Sequence, residues 1–348
     1  MTQKNTKTAP DLPGARSNRP ITFMHRIEHG AACALLGFFR LIGVDAASWL
    51  SGKGLRVVGP VLHKIHQRGD DNLQRIYPDW SGSARRSVLA DVWENLGRVG
   101  GEFAHLDAFQ PTWDEAQMQH QVARLSEQNL LNETERARLS HYKPAENARI
   151  ALSASDDFLI ALAKKQPAIF VTGHFANWEI MGRVCAYVDV PCAIIYRAAN
   201  NSLIDELIIK RRGQSSGHWQ IPKGPEGARS FIDALKQDYS LGLLVDQKFT
   251  SGPMLPFTGI DAPTAPAPAR MSLNYNMPLI PVVVERTKGA HFKMIAGDAI
   301  TIERSGDMSA DINALTGQIN AVLGQKIDEN PSQWLWFHRR WGKSLPSS

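Results

Sequence analysis

Helix-like and strand-like patterns alternate along the chain from about residue 155, and this alternation restricts the possible fold more than any other feature. Short apolar runs with β-branched residues are typical of buried strands, whereas apolar residues spaced four apart are typical of helices. The predicted strands are 167–173, 192–198, 218–222 and 241–246, and the predicted helices are 157–166, 178–188, 202–212, 227–237, one from 265, and a long one ending near Trp336. An apolar run at 277–286 and an alternating stretch at 291–302 lie between the helix from 265 and the long last helix. The order predicts an α/β fold with a largely parallel central sheet flanked by helices.

Polar groups follow three of the predicted strands. His174 follows 167–173, Arg197 follows "CAIIY", and Asp246-Gln247-Lys248 follow "LGLLV". Loops at the carboxyl edge of an open parallel sheet converge on one crevice. We therefore expect these three clusters to lie near one another.

The stretch "FVTGHFANWE" (170–179) places a histidine and a carboxylate across a predicted strand-to-helix turn. Asn177 is a suitable N-cap, which puts Glu179 in the first helical turn, where the helix dipole favours an ionised carboxylate. Glu179 can then hydrogen-bond one ring nitrogen of His174 and leave the other free as a base. A helix start alone also explains Glu179, so the spacing leaves both interpretations open.

Composition and cysteine content indicate an ordinary globular protein of a reducing compartment. The 348 residues are 43% hydrophobic, enough for one large core or two modest ones. Cys33, Cys185 and Cys192 are odd in number and lack metal-ligand spacing, which argues against a disulfide framework and a zinc site. We expect neither a metal nor a cofactor.

A net charge of +5 and a pI near 9.1 favour an anionic partner. The tightest basic groups are Lys210-Arg211-Arg212 and His338-Arg339-Arg340. Neither is interleaved with aromatic residues as a base-stacking surface is, although aromatic residues flank the second group, so we expect no nucleic-acid partner. A solvated basic face explains 210–212 equally well.

The segment Ala31–Leu50 is apolar enough to enter a bilayer, but Arg40 and Asp45 interrupt it. A spanning helix needs roughly 20 residues without a central charge. With basic residues on both sides, the segment fits a helix lying in, or dipping into, an anionic membrane surface. A buried pair of core helices is the alternative.

These features divide the chain into three parts. Residues 1–19 are polar and lack the apolar core of a signal peptide, so we expect a flexible tail and no export. Residues 20–110 are predicted to be a helical, membrane-associated region. Residues 111–345 are predicted to be one α/β catalytic domain on which the N-terminal helices pack.

Six motifs give the chain a specific resemblance, and they occur in order between about residues 25 and 342. They are "NLQRIYPDW" (72–80), "TGHFANWE" (172–179), "IYRAANNSLIDELIIKRRG" (195–213), "LLVDQK" (243–248), "LPFTGIDAPTA" (255–265) and "PSQWLWFHRRW" (331–341). The chain resembles the late acyltransferases of bacterial lipid A biosynthesis, within the wider lysophospholipid and glycerol-phosphate acyltransferase group. That group has Asp where Glu179 stands, and Glu is typical of the lipid A branch. Thr258 stands where the family often has Phe.

The resemblance implies a glycerol-phosphate acyltransferase-like fold and transfer of a fatty acyl chain from acyl carrier protein to a lipid A precursor. The site of action would be the cytoplasmic face of the inner membrane. His174 would act as the general base, and Glu179 would accept a hydrogen bond from its other ring nitrogen. Backbone N–H groups at the start of helix 178–188, or Arg197, would stabilise the oxyanion. No acyl-enzyme is required.

The resemblance also implies two anionic partners, a phosphorylated glucosamine disaccharide lipid and the acidic carrier protein. Arginine binds phosphate through two N–H groups at once. The candidates are Arg197, Arg339 and Arg340 for acceptor phosphate, Asp246 and Gln247 for ordering the site or holding acceptor hydroxyls, and Lys210, Arg211 and Arg212 for docking the carrier protein. A cap on the following turn is the alternative role of Asp246.

Three alternatives remain. Gly213-Gln-Ser-Ser-Gly217 matches the G-x-S-x-G pattern of serine hydrolases, but that motif needs a preceding strand, and "LIIKRR" is helical, so we expect Ser215 to lie in a flexible loop. A membrane-associated scaffold without catalysis is disfavoured because both His174 and Glu179 are present. The third alternative is acylation of another membrane lipid, such as a phosphatidylinositol mannoside or a lysophospholipid.

Overall fold

The computed structural model describes residues 20–142, 145–216 and 218–342. The predicted tail, residues 1–19, and Gly217 lie outside these ranges. The described residues form an eight-stranded sheet and a separate two-stranded hairpin. The strands are β1 (Pro111–Trp113), β2 (Ile150–Ala154), β3 (Ile169–Thr172), β4 (Cys192–Tyr196), β5 (Trp219–Pro222), β6 (Ser240–Leu244), β7 (Met254–Phe257), β8 (Ile260–Pro263), β9 (Leu279–Lys288) and β10 (His291–Ala296).

The α-helices of the described ranges cover the sheet and form the N-terminal region. They are α1 (Phe23–Ile42), α2 (Val44–Val58), α3 (His63–Ile76), α4 (Gly82–Glu102), α5 (Glu115–Glu127), α6 (Glu133–Leu139), α7 (Asp156–Ala163), α8 (Met181–Tyr187), α9 (Ser202–Ser216), α10 (Pro225–Lys236), α11 (Ala267–Tyr275) and α12 (Met308–Glu329). Short 3₁₀ segments lie at Gly59–Val61, Phe103–Ala108, Trp178–Ile180 and Pro331–Gln333.

The large sheet confirms the predicted α/β architecture. Its order is β1-β2-β10-β9-β3-β6-β4-β5, and every neighbouring pair is parallel except β9 with β10. The hairpin β7–β8 is antiparallel. Strands β3, β6 and β4 are adjacent and parallel, so their carboxyl ends lie at one edge, as the sequence predicts.

The sheet has an apolar core on each face, because side chains alternate along each strand. In β3, Ile169 and Val171 join the core formed with α3, α4 and α12, whereas Phe170 faces the core formed with α7 and α8. Burial on both faces explains why these strands are continuous apolar runs.

The sequence patterns locate most elements of the large sheet but misplace three features. The long last helix, predicted to end near Trp336, ends at Glu329. The strand in 291–302 ends at Ala296, and Ser215 belongs to α9 rather than to a loop. The predicted loop is therefore wrong, because the helix continues to Ser216. The predicted absence of a preceding strand is correct, since the residues before Ser215 are helical.

Helices α1 and α2 meet at Gly43, whose φ of 79° ends the first helix. The two charges that interrupt the apolar segment each have a partner outside it. Arg40 forms a bidentate ion pair with Asp107, and Asp45 accepts from Arg149 at 2.6 Å. Ion pairs with residues outside α1 and α2 therefore neutralise both charges.

The apolar side chains of this region face outward instead. Among the described residues, thirteen of the nineteen exposed large apolar side chains lie between Ile21 and Leu62, with Phe23 79% and Leu41 86% exposed. This exposure contradicts the alternative of a buried core helix pair. No helix in the described ranges is both long enough and apolar enough to cross a membrane.

Helix α2 packs closely against α4 because small residues line the contact. A Cβ at Gly101 of α4 would collide with the Ala47 carbonyl oxygen and the Ser51 Oγ of α2. The neighbouring Gly100 has no atom within 4 Å of its Cβ position. Substitution of Gly101 therefore tests close helix packing, whereas substitution of Gly100 tests helix propensity alone.

We predict that Gly101→Ala lowers the free energy of unfolding by about 1–3 kcal/mol, because the helices must move apart. Gly100→Ala should raise it by about 0.5–1 kcal/mol through better helix propensity. Urea titration followed by circular dichroism measures both. Equal effects of the two substitutions would show that α2 and α4 do not touch at Gly101.

Candidate functional site

His174 lies in the turn that follows β3, and a carboxylate from the adjacent strand end fixes its ring. Its Nδ1 is 2.8 Å from Asp246 Oδ1, and its backbone N–H donates to Asp246 Oδ2 at 2.7 Å. An Nδ1–H that donates to a carboxylate leaves Nε2 as the unprotonated nitrogen. The convergence predicted for these two strand ends is confirmed.

The Nε2 side of the ring faces the next residue of the same loop. Gln247 Nε2 lies 3.3 Å from His174 Nε2, so its amide donates to the unprotonated nitrogen. The Gln247 amide thus occupies a position from which a substrate hydroxyl would give up its proton.

Asp246 is 2% exposed and accepts a third hydrogen bond, from Trp334 Nε1 at 2.8 Å. Burial alone would raise its pKa, but the His174 charge and the hydrogen bonds from His174 and Trp334 outweigh burial and lower the pKa to about 2. The carboxylate is therefore ionised throughout the pH range of ordinary enzyme activity. A Cβ at Gly173 would come within 3.1 Å of Asp246 Oδ2, which explains a glycine before the histidine.

Glu179 does not bond to His174, and that part of the sequence prediction is wrong. Its carboxylate accepts from Arg212 Nε and Nη2, each at 2.7 Å, and from Trp178 Nε1 at 3.0 Å. The Trp178 ring packs edge-on against the imidazole with centroids 4.9 Å apart, and thereby takes the place beside His174. The predicted cap is present, since Asn177 Oδ1 accepts from the Glu179 N–H.

Arg212 is consequently engaged within the protein. Its side chain is half-buried, forms the bidentate pair with Glu179 and lies over the Tyr196 ring. Burial opposes its charge, but Glu179 outweighs burial and raises the pKa of Arg212. This pairing contradicts a docking role for Arg212, whereas Lys210 of the same predicted group is exposed and Arg211 is half-buried.

Arg340 is a second correction. Its side chain is fully buried, donates to the Pro263 carbonyl oxygen and to Thr264 Oγ1, and lies over the Phe257 ring. Burial lowers its pKa to about 10. The β7–β8 segment thus encloses the guanidinium, which cannot reach an acceptor phosphate, whereas Arg339 is exposed.

Two further cationic groups lie at the carboxyl end of β4. Arg197 is exposed after β4, and no hydrogen bond or ion pair joins it to another described residue. Lys223, which sequence patterns do not indicate, bonds through its N–H to the Tyr196 carbonyl, and its charge interacts with Arg197 and Asp246. Arg197 therefore lies at the predicted edge without touching His174.

His338 is a titratable residue that the sequence analysis missed as a site component. Burial lowers its pKa, Asp246 opposes this shift, and the charges of His174 and Arg340 add to it. Its ring thus interacts electrostatically with both members of the His174–Asp246 pair. The sequence around His338 does not indicate a site role. The segment comes close to the histidine loop only in the folded protein, where Trp334 pairs with Phe175.

An apolar cavity lies on the side of the sheet that faces α7 and α8. Its volume is about 80 Å³, and it is partly open to solvent. Thr172 and Trp178 line it at the His174 edge, whereas Gly242 and Cys192 line it deeper along their strands. Its apolar lining suits an aliphatic chain. The described residues contain no group of three or more metal-ligating side chains arranged to hold an ion.

Sequence comparisons relate the chain to one family of proteins. The sequence model of the family described as bacterial lipid A biosynthesis acyltransferase matches residues 23–343. Two similar proteins are the lipid A biosynthesis palmitoleoyltransferase of Escherichia coli (strain K12) and the lipid A biosynthesis acyltransferase of Shigella flexneri, each 24% identical over 189 residues. These alignments cover 53% of this chain and 59% of each relative.

Proposed function

Because the chain belongs to the bacterial lipid A biosynthesis acyltransferase family, we propose that it transfers a fatty acyl chain from acyl carrier protein to a hydroxyl group of a lipid A precursor. The observation that carries this proposal is the His174–Asp246 pair at the edge of an apolar cavity. A base beside a pocket for an aliphatic chain is what acyl transfer to an alcohol requires.

In the proposed reaction, His174 Nε2 takes the proton of the acceptor hydroxyl as its oxygen attacks the thioester carbonyl carbon. Asp246 holds the ring in the required tautomer and stabilises the imidazolium. Collapse of the tetrahedral intermediate breaks the C–S bond, and the leaving thiolate takes a proton that the imidazolium returns. The oxygen–carbon bond forms directly, so no acyl-enzyme is needed.

Gln247 is suited to the acceptor side of this reaction. Its amide bonds to His174 Nε2, so the entering hydroxyl displaces it and leaves an N–H group free beside the reacting carbonyl. The N–H of Glu179 already bonds to Asn177 and is not available for the oxyanion. We therefore assign the Gln247 amide to the hydroxyl or the oxyanion.

The exposed cations are suited to two anionic partners. Arg197 and Arg339 are exposed, and we propose that they bind acceptor phosphate. Lys210 and Arg211 remain the proposed docking residues for the carrier protein. Arg212 and Arg340 are excluded from these roles by their internal contacts.

We further propose that α1 and α2 lie in the surface of the inner membrane on its cytoplasmic face. Their exposed apolar side chains support this arrangement. Asn201, in the loop after β4, donates to the His25 carbonyl oxygen and to Glu28 of α1. The start of α1 is thus joined to the loop that carries Arg197, where a lipid acceptor would enter.

A comparison of the two carboxylates tests the catalytic pair. His174→Ala and Asp246→Asn should each lower kcat for acyl transfer about 10²–10⁴-fold, because base and orientation are lost. Glu179→Gln should lower kcat much less and instead destabilise the fold by about 1–3 kcal/mol, because Arg212 loses its charged partner. Purified variants are assayed with acyl carrier protein donor and lipid A precursor, and unfolding midpoints are measured in parallel.

A large loss of turnover in Glu179→Gln with near-normal turnover in Asp246→Asn would overturn the assignment. Mass spectrometry of lipids from a deletion strain decides the acceptor. Loss of one acyl chain from lipid A supports the proposal, whereas unchanged lipid A and a missing chain on another lipid would contradict it.

The cavity predicts a position that changes donor preference. A Cβ at Gly242 would meet Cys192 Sγ and Ile194 Cγ1 at 3.5 Å, an ordinary contact, so alanine fits without strain. Gly242→Leu extends into the space and should favour a donor shorter by about two carbons, roughly tenfold or more, since each buried CH₂ is worth about 0.8 kcal/mol. Competition between donors of different length measures the ratio, and Gly242→Ala should shift it less. An unchanged ratio in both variants would show that the acyl chain lies elsewhere.

The membrane proposal predicts a selective loss of lipid binding. Phe23→Asp with Leu41→Asp should lower binding to anionic vesicles more than tenfold, because two large side chains no longer enter the bilayer. Met308→Asp, an exposed apolar position on α12, is the matched control and should bind normally. Flotation with phosphatidylglycerol vesicles measures the bound fraction. Equal loss in the control, or none in the double variant, would contradict a docking face at α1 and α2.

A further inference from the structure

A buried polar network lies beneath the catalytic turn, and Glu102 is at its centre. Glu102 ends α4 and is fully buried. Its Oε1 accepts from Ser48 Oγ at 2.7 Å, its Oε2 accepts from Asn177 Nδ2 at 2.8 Å, and both oxygens pair with the Arg286 guanidinium. A carboxylate buried this deeply persists only with such partners.

Arg286, in β9, connects this carboxylate to other parts of the network. Its Nε donates to Asn95 Oδ1 at 2.9 Å, and its backbone N–H and carbonyl bond to the Gln333 side chain at 2.7 and 3.1 Å. Asn95 belongs to α4, and Gln333 precedes Trp334, the residue that donates to Asp246. With Ser48 of α2 and Asn177, the network thus spans five separate segments of the chain.

These groups converge on the two residues that join the histidine loop to the next helix. Asn95 Nδ2 donates to the Ala176 carbonyl oxygen at 3.0 Å, and the Ala176 N–H donates to the Gln333 carbonyl oxygen at 2.8 Å. The amide of Asn177 bonds at one end to Glu102 and at the other to the N–H of Glu179.

The turn needs this support because its backbone is unfavourable. Ala176 has a φ of 42°, in the left-handed region that residues with a Cβ rarely adopt. Such a conformation persists where surrounding contacts fix it, and it often occurs beside active sites. The contacts that fix it here come from Asn95, Gln333 and the Glu102-bound Asn177.

We infer that Glu102, held by Arg286, is a positioning residue that keeps the 175–177 turn in the conformation that directs His174 toward Asp246. Glu102 touches neither the imidazole nor the cavity. Its effect on the reaction passes through Asn177 and the turn. The kinetic part of the test rests on the proposed acyl transfer, whereas the hydrogen-exchange part does not.

Glu102→Gln is the direct test. Glutamine keeps the shape but removes the charge that pairs with Arg286. It also replaces one acceptor oxygen with an N–H₂ group, which must face either the Asn177 donor or the Ser48 and Arg286 donors. We expect kcat, corrected for the folded fraction, to fall about 10–100-fold while KM for the donor changes less than about threefold, since the substrate sites are untouched. Glu102→Gln combined with Asn177→Asp restores one donor, one acceptor and one charge, and should recover most of kcat.

Glu94→Gln is the matched control. Glu94 is two turns earlier on α4, is half-buried and pairs with Arg98 and Lys53, but it does not contact the turn. Its kcat should be normal. If Glu102→Gln does not fold, Asn95→Ala leaves the Glu102–Arg286 pair intact, removes the donor to Ala176 and should lower kcat about 3–10-fold with unchanged KM.

Hydrogen exchange separates this inference from the proposed function. The amide hydrogens of Ala176 and Glu179 should exchange at least tenfold faster in Glu102→Gln than in the wild type or Glu94→Gln, whatever reaction the protein catalyses. Inactive wild-type protein with this exchange pattern would overturn only the acyl-transfer proposal. Normal exchange and normal kcat in Glu102→Gln, or a double variant no better than the single one, would overturn the inference.

Discussion

The site depends on the hydrogen bonds that the buried Asp246 carboxylate accepts. The carboxylate accepts from the His174 ring, from the His174 backbone and from Trp334, so it joins the ends of β3 and β6 to the C-terminal segment. A charge in such an environment is tolerated only when it is paired and hydrogen-bonded. The same contacts that satisfy the carboxylate also fix the tautomer and direction of the imidazole. These contacts therefore both stabilise the buried charge and orient the imidazole.

Sequence patterns predicted the edge at which the site lies but not which carboxylate serves the histidine. The strand ends at His174 and Asp246 and the cap at Asn177 were all predicted, because they follow from local periodicity. The bond between residues 174 and 246 joins positions 72 residues apart, and only the β3–β6 pairing brings them together. Local spacing favoured Glu179, whose charge instead pairs with Arg212.

For the basic residues, too, the sequence does not indicate which side chains are exposed, because this depends on tertiary contacts. Arg339 and Arg340 are adjacent in sequence, yet one is exposed and the other is enclosed by the β7–β8 segment. Short or isolated elements such as β1, with three residues, carry too little pattern to be predicted. The apolar N-terminal helices were found from composition, while the ion pairs that neutralise Arg40 and Asp45 required the fold.

The protonation of His174 tests the central claim most directly. Selective ¹⁵N labelling of histidine, with His174 assigned by comparison with His174→Ala, reports which ring nitrogen carries the proton. The account predicts a ring proton on Nδ1, hydrogen-bonded to Asp246, with Nε2 unprotonated, and loss of this state in Asp246→Asn but not in Glu179→Gln. Protonation on Nε2 in the wild type, or dependence on Glu179 rather than Asp246, would contradict it.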